Sequence, residues 1–87
     1  MPAVTLTLLS KPDCHLCDDA RGVIASVVEQ LGERASVRLD ELSILDDAEL
    51  NARYWDEIPV VLVNGTVHTI WRVDPVRLRA AIDEAAG

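Results

Sequence analysis

Apolar and polar residues alternate at the amino end of the chain: Val4, Leu6 and Leu8 are separated by Thr5 and Thr7, the pattern of a strand that runs to Leu9. The period then changes. Leu16, Ala20, Val23, Ile24, Val27 and Leu31 follow in steps of four, three, one, three and four, which is one face of an amphipathic helix. Gly32 stands where a left-handed cap is expected to end that helix. Alternation returns over Ala35–Leu39, where Val37 and Leu39 are interleaved with Ser36 and Arg38. A strand–helix–strand unit of this kind joins parallel neighbours through a right-handed crossover.

Further along, Asp46 is expected to cap a short helix, with Glu49 completing a capping box and Leu45 and Leu50 forming its hydrophobic staple. That helix is expected to end near Tyr54 and Trp55, with Asp56-Glu57 as a solvated corner. Ile58-Pro59-Val60-Val61-Leu62-Val63 reads as an apolar strand opened by proline. Asn64-Gly65 is a strong hairpin signal, and Val67–Trp71 is the returning strand. Asp74 and Pro75 take the N-cap and first-turn positions of a last helix through Glu84, with Val73 and Leu78 as its staple. The predicted order is β-α-β-α-β-β-α, an α/β arrangement.

Composition narrows this picture. A chain of 87 residues is expected to form a single domain over 1–87 with one modest core. Hydrophobic residues make up 49% and phenylalanine is absent, so the core is expected to be aliphatic. The formal net charge of −7 argues against nucleic acid or an anionic membrane as partner and favours partners with basic docking faces. The Val4–Leu9 run is too short and too rich in threonine for a signal or spanning helix, so a cytoplasmic location is expected. A monomer is expected as well.

The candidate chemistry lies in Ser10-Lys11-Pro12-Asp13-Cys14-His15-Leu16-Cys17, which holds both cysteines. A three-residue separation on the first turn of a helix brings the two Cα atoms to roughly 5–6 Å, within reach of a disulfide. Cys14 falls at the helix N-terminus, where free N–H groups and the dipole favour a thiolate. It is the candidate nucleophile. Cys17, one turn inside, is the candidate resolving thiol. A zinc site from these thiols and His15 would need a fourth ligand, and the only other histidine is His68. A permanent structural disulfide would close too short a loop to stabilise much. No metal is therefore expected, and redox chemistry is the favoured reading. Asp13 and Asp18 are expected to oppose the Cys14 thiolate and so keep the couple toward the reducing end of the range.

A cysteine pair after the first strand, this element order and the Ile58-Pro59 that opens the third strand together resemble the thioredoxin superfamily. Lys11-Pro12-Asp13-Cys14-His15-Leu16-Cys17, Ile58-Pro59-Val60 and Asn64-Gly65 are similar to a small glutaredoxin-like family described as a domain of unknown function. The resemblance implies a thioredoxin-like fold: a four-stranded mixed sheet with helices on both faces. It implies a thiol–disulfide oxidoreductase that needs no cofactor beyond the Cys14–Cys17 disulfide and takes a low-molecular-weight thiol as co-substrate. The partners it implies are a disulfide-containing protein or small thiol, and a reductase. Cys14 would attack, Cys17 would resolve, and Pro59 would be a cis-proline, although base rates alone favour trans. Proline also removes an N–H, which leaves the Ile58 backbone free to pair with an extended substrate. Lys11 stands where glutaredoxins contact a glutathione carboxylate, and Arg72 is a further candidate for holding a carboxylate. The sequence departs from the dithiol glutaredoxins at His15-Leu16, where they usually have Pro-Tyr, and at Thr69–Asp74, where they have a Gly-Gly-x-Asp-Asp turn. The alternative is a thioredoxin-fold binding module, either non-catalytic or holding an iron–sulfur cluster on Cys14 from two chains.

Overall fold

The computed structural model describes residues 3–87. Its order is β1 (Ala3–Ser10), α1 (His15–Leu31), β2 (Ser36–Ser43), α2 (Ala48–Tyr54), β3 (Val60–Val63), β4 (Thr66–Ile70) and α3 (Pro75–Ala86), with short 3₁₀ turns at Gly32–Arg34 and Ile44–Asp46. The four strands form one mixed sheet in the order β2-β1-β3-β4. β1 runs parallel to β2 and antiparallel to β3, while β4 is antiparallel to β3. This is the α/β, thioredoxin-like arrangement expected.

The two-residue period of β1 divides the core between the two faces. Val4, Leu6 and Leu8 point to one side and are wholly buried with Val61 beneath Ala20, Ile24, Val27 and Leu31 of α1 and Leu78 and Ile82 of α3. Leu9 and Val60 face the other way and pack with Ile44, Tyr54 at the end of α2, and Ile58. Helices therefore cover both faces of the sheet, and the core is aliphatic apart from Cys17 and Tyr54. Val73 packs against the first cluster beside Leu78, as the staple predicts. The Asp74 carboxylate accepts the N–H groups of Val76 and Arg77, with Pro75 in the first turn, so the α3 cap is the predicted one.

At the β3–β4 hairpin Asn64 and Gly65 have φ of 50° and 84°, the paired positive values of a type I′ turn. The Asn64 side chain accepts the Thr5 N–H at 2.9 Å and its backbone N–H donates to the Thr5 carbonyl at 2.8 Å, fastening the turn to β1.

Several boundaries differ from the sequence expectation. β2 continues past Leu39 to Ser43, because eight consecutive residues find parallel partners on β1 regardless of the polar run Asp40-Glu41. Gly32 has φ 54° but ψ −123°, so it does not make the left-handed cap and instead leads into a 3₁₀ turn. The N-cap of α2 is Asp47, not Asp46: its carboxylate accepts the Glu49 and Leu50 N–H groups. Asp46 is consumed by the 3₁₀ turn that Ser43 starts by accepting the Leu45 N–H. The capping box and the Leu45–Leu50 staple are thereby lost, and Leu45 is left 63% exposed. β3 begins at Val60 and β4 stops at Ile70, because Trp71 turns into the left-handed region at φ 67°.

Candidate active site

The carboxyl end of β1 delivers the chain to the cysteines through the turn at Lys11–Asp13. Asp13 has φ 58°, a region that aspartate enters more readily than most residues. That turn makes Cys14 the N-cap of α1, in extended conformation at φ −114° and ψ 109°. Cys14 and Cys17 form a disulfide with Cα atoms 5.1 Å apart, inside the range expected from the spacing. The Cys14 sulfur accepts the Cys17 N–H at 3.2 Å. In the reduced protein this N–H and the helix terminus would face a thiolate in the place of the disulfide sulfur, the arrangement that lowers a thiol pKa. Burial separates the two: Cys14 is half-buried, and Cys17 has no exposed surface. Cys17 packs with Leu9, Ile44, Tyr54, Ile58 and Val60, and Cys14 lies against the same cluster.

Ile58 therefore belongs with the cysteines, and Pro59 follows it in the chain. The Ile58–Pro59 peptide bond is cis, as the resemblance implied. Ile58 is 8% exposed, yet neither its N–H nor its carbonyl has a backbone partner among the described residues. The other two candidates are placed apart. Lys11 is exposed and lines a groove of about 360 Å³ with Arg21, Glu41 and Asp46. Arg72 lines a different groove, of about 240 Å³, with Leu16, Asp19 and Trp71. Neither Lys11 nor Arg72 forms an ion pair among the described residues. No group of three or more His, Cys, Asp or Glu side chains suited to a metal occurs among the described residues.

The acids near the site are arranged otherwise than expected. Asp18 does not stand free opposite the thiolate: the Arg21 guanidinium holds it at 2.8 Å. The same guanidinium binds Glu41 of β2 through two N–H groups, at 2.8 and 2.7 Å. The Ser10 hydroxyl, buried at the end of β1, completes the network with a 2.9 Å hydrogen bond to Glu41. The Arg21 hydrogen bond is the main reason that the Glu41 carboxyl is held below the usual carboxylate range, with Ser10 adding to it and burial opposing. The Glu41 and Asp18 hydrogen bonds in turn push the Arg21 guanidinium above its ordinary value. Asp18 thus acts on Cys14 largely compensated, which weakens the sequence argument for a more reducing couple. Its charge is also screened at the surface.

This network was missed in the sequence. Glu41 lay beyond the expected end of the second strand, and only the full register, which sets Glu41 beside Leu8 and Ser43 beside Ser10, brings it to the loop that carries the cysteines. Trp71 was also missed. Its indole N–H donates to the Asp56 carbonyl at 2.9 Å, and its backbone N–H donates to the Pro59 carbonyl at 2.8 Å. The Asp56-Glu57 corner is therefore fastened to the β4–α3 connection instead of being merely solvated.

Comparison with known proteins agrees with this fold. A family profile described as glutaredoxin-like domain (DUF836) matches residues 5–83. An uncharacterized protein of Mycobacterium tuberculosis is 33% identical over 76 residues, covering 86% of this chain and 78% of the relative. The X-ray structure of a structural-genomics target protein from X. campestris superposes with a TM-score of 0.73 at 35% identity, over 92% of this chain and 97% of that one. The oxidised thioredoxin of Plasmodium falciparum shares the fold at a TM-score of 0.61 and 12% identity, over 97% of this chain and 82% of that one.

Proposed function

The chain belongs to the glutaredoxin-like domain family (DUF836), and from that premise we propose that it is a thiol–disulfide oxidoreductase acting on protein or mixed disulfides. The observation that carries this reading is the asymmetry of the pair: a half-buried Cys14 capping α1 and a fully buried Cys17 within disulfide reach of it.

In the forward direction the Cys14 thiolate attacks one sulfur of a substrate R–S–S–R′. The R–S sulfur becomes bonded to Cys14, and R′–S⁻ leaves and takes a proton. Cys17 then gives up its proton and attacks the Cys14 sulfur. R–S⁻ is released and protonated, and the Cys14–Cys17 disulfide remains. Two equivalents of a small thiol, or a dithiol reductase, return the pair to the reduced state. An extended substrate would satisfy the unpartnered backbone of Ile58, beside the Pro59 that contributes no N–H of its own. Lys11 and Arg72, each without an acid partner, would serve carboxylates on either a small thiol or a protein. No helix described here is long and apolar enough to cross a membrane.

The reading predicts the order of thiol reactivity. In the reduced protein at neutral pH, brief iodoacetamide treatment followed by mass mapping should label Cys14 at least about tenfold faster than Cys17, because only Cys14 combines access with a helix terminus. Equal labelling, or faster labelling of Cys17, would reverse the roles.

A further inference from the structure

Trp71 combines three features that rarely coincide. It is a bulky residue in the left-handed backbone region, at φ 67°. Its ring is not part of the core: the residue is 52% exposed, although tryptophan has the most apolar surface to hide. Its two N–H groups nevertheless both find carbonyls on one short segment, the indole on Asp56 at 2.9 Å and the backbone on Pro59 at 2.8 Å. The left-handed turn makes this grip possible by ending β4, and the Arg72 N–H closes the turn onto the Ile70 carbonyl at 2.8 Å. Such a backbone conformation persists only where surrounding contacts over-determine it, and these contacts do so.

The gripped segment, Asp56 to Pro59, contains the unpartnered Ile58 backbone. Its near end is tied to α2 through the Glu57 N–H on the Tyr54 carbonyl at 2.9 Å. We propose that Trp71 is a positioning residue that clamps the Asp56–Pro59 segment, so that the Ile58 backbone is held ready for an extended, disulfide-bearing peptide. The proposal rests on the oxidoreductase reading for its substrate but not for its geometry. A clamp of this kind acts on substrates that pair with the backbone and leaves the chemistry at Cys14 alone. Preorganisation of a binding segment lowers KM for such substrates without changing the transfer step.

Trp71→Phe tests this, since it keeps a ring and the backbone N–H but removes the indole donor. With a peptide mixed disulfide long enough to pair with Ile58, KM should rise about fivefold while kcat stays within about twofold. With a small uncharged symmetric disulfide, which has neither a backbone to pair with Ile58 nor a carboxylate for the groove that Trp71 lines with Arg72, the rate should be unchanged. An unaltered KM for the peptide would overturn the proposal. So would an equal loss on both substrates, which would mean that Trp71 supports the whole site and not the segment. NMR order parameters provide a readout independent of turnover: those of Glu57 and Ile58 should fall from about 0.85 to below about 0.6 in Trp71→Phe. Values that stay at the rigid level would likewise refute the clamp. If the parent protein turns over neither substrate while Trp71→Phe still loosens Glu57 and Ile58 relative to it, the oxidoreductase reading fails and the clamp stands.

Discussion

Cys14→Ser should lose disulfide exchange down to the uncatalysed background, while Cys17→Ser should stop halfway with a mixed disulfide held on Cys14. The first variant removes the only thiol that a substrate can approach, because Cys17 has no exposed surface and packs under Ile44, Tyr54 and Ile58. The second keeps the attacking sulfur at the α1 N-cap but removes the thiol whose Cα lies 5.1 Å away and would displace the product. Incubation with an oxidised small thiol, read by non-reducing mass spectrometry, separates the two. The expected spectrum shows one adduct mass on nearly all of Cys17→Ser and none on Cys14→Ser. Adduct formation on Cys14→Ser at the wild-type rate would show that the buried sulfur is the nucleophile after all.

The second large effect concerns the fold that holds this site. Leu6 is fully buried in the middle of β1, paired with Leu39 on one side and Val63 on the other. Leu6→Ala should therefore cost about 2–5 kcal/mol, the transfer loss plus the cavity left between the sheet and the helices. Small domains have only about 5–15 kcal/mol of net stability, so this is a large fraction. In a chain of this size each kcal/mol moves the midpoint by about 4–8 °C, and a fall of about 10 °C or more in thermal melts is expected. Leu45→Ala, at a residue 63% exposed, should stay within about 0.5 kcal/mol. A Leu6→Ala cost below about 1 kcal/mol in urea melts would mean that the sheet relaxes around the gap far more than its packing suggests.

Much of the architecture was legible because it is local. The alternation of Val4, Leu6 and Leu8, the apolar stripe of α1 and the Asp74-Pro75 start of α3 each carry their own signal and form where expected, except that Leu16 is 38% exposed and the buried face of α1 begins at Cys17. The cysteine pair was legible for the same reason, since a three-residue spacing at a helix start fixes the distance between the two Cα atoms. What failed was decided between elements. The end of β2 is set by pairing with β1, not by the composition of Asp40-Glu41. The cap of α2 moved from Asp46 to Asp47 because a 3₁₀ turn intervenes, and Asp46 and Asp47 offer the same side chain to a reader of the sequence. Pairing of Asp18 with Arg21 is a local helical contact, but the bridge from Arg21 to Glu41 depends on the β1–β2 register. Trp71 falls at the end of the returning strand that the Asn64-Gly65 signal predicts, and only its φ and its two hydrogen bonds mark it as a turn residue.

The most direct test of the account is the redox equilibrium of the Cys14–Cys17 pair. Wild-type protein is equilibrated against thiol buffers of defined potential, trapped with an alkylating reagent and weighed. A single reversible transition is expected between a species with both cysteines alkylated and one with neither. That transition is intramolecular, independent of protein concentration and complete in both directions. Its midpoint should lie below about −180 mV, since Asp13 adjoins Cys14 in sequence and forms no ion pair among the described residues, even though Arg21 holds Asp18. Two alkylated cysteines at every poise, or a disulfide that forms only between chains, would contradict the claim that this pair is a working dithiol couple.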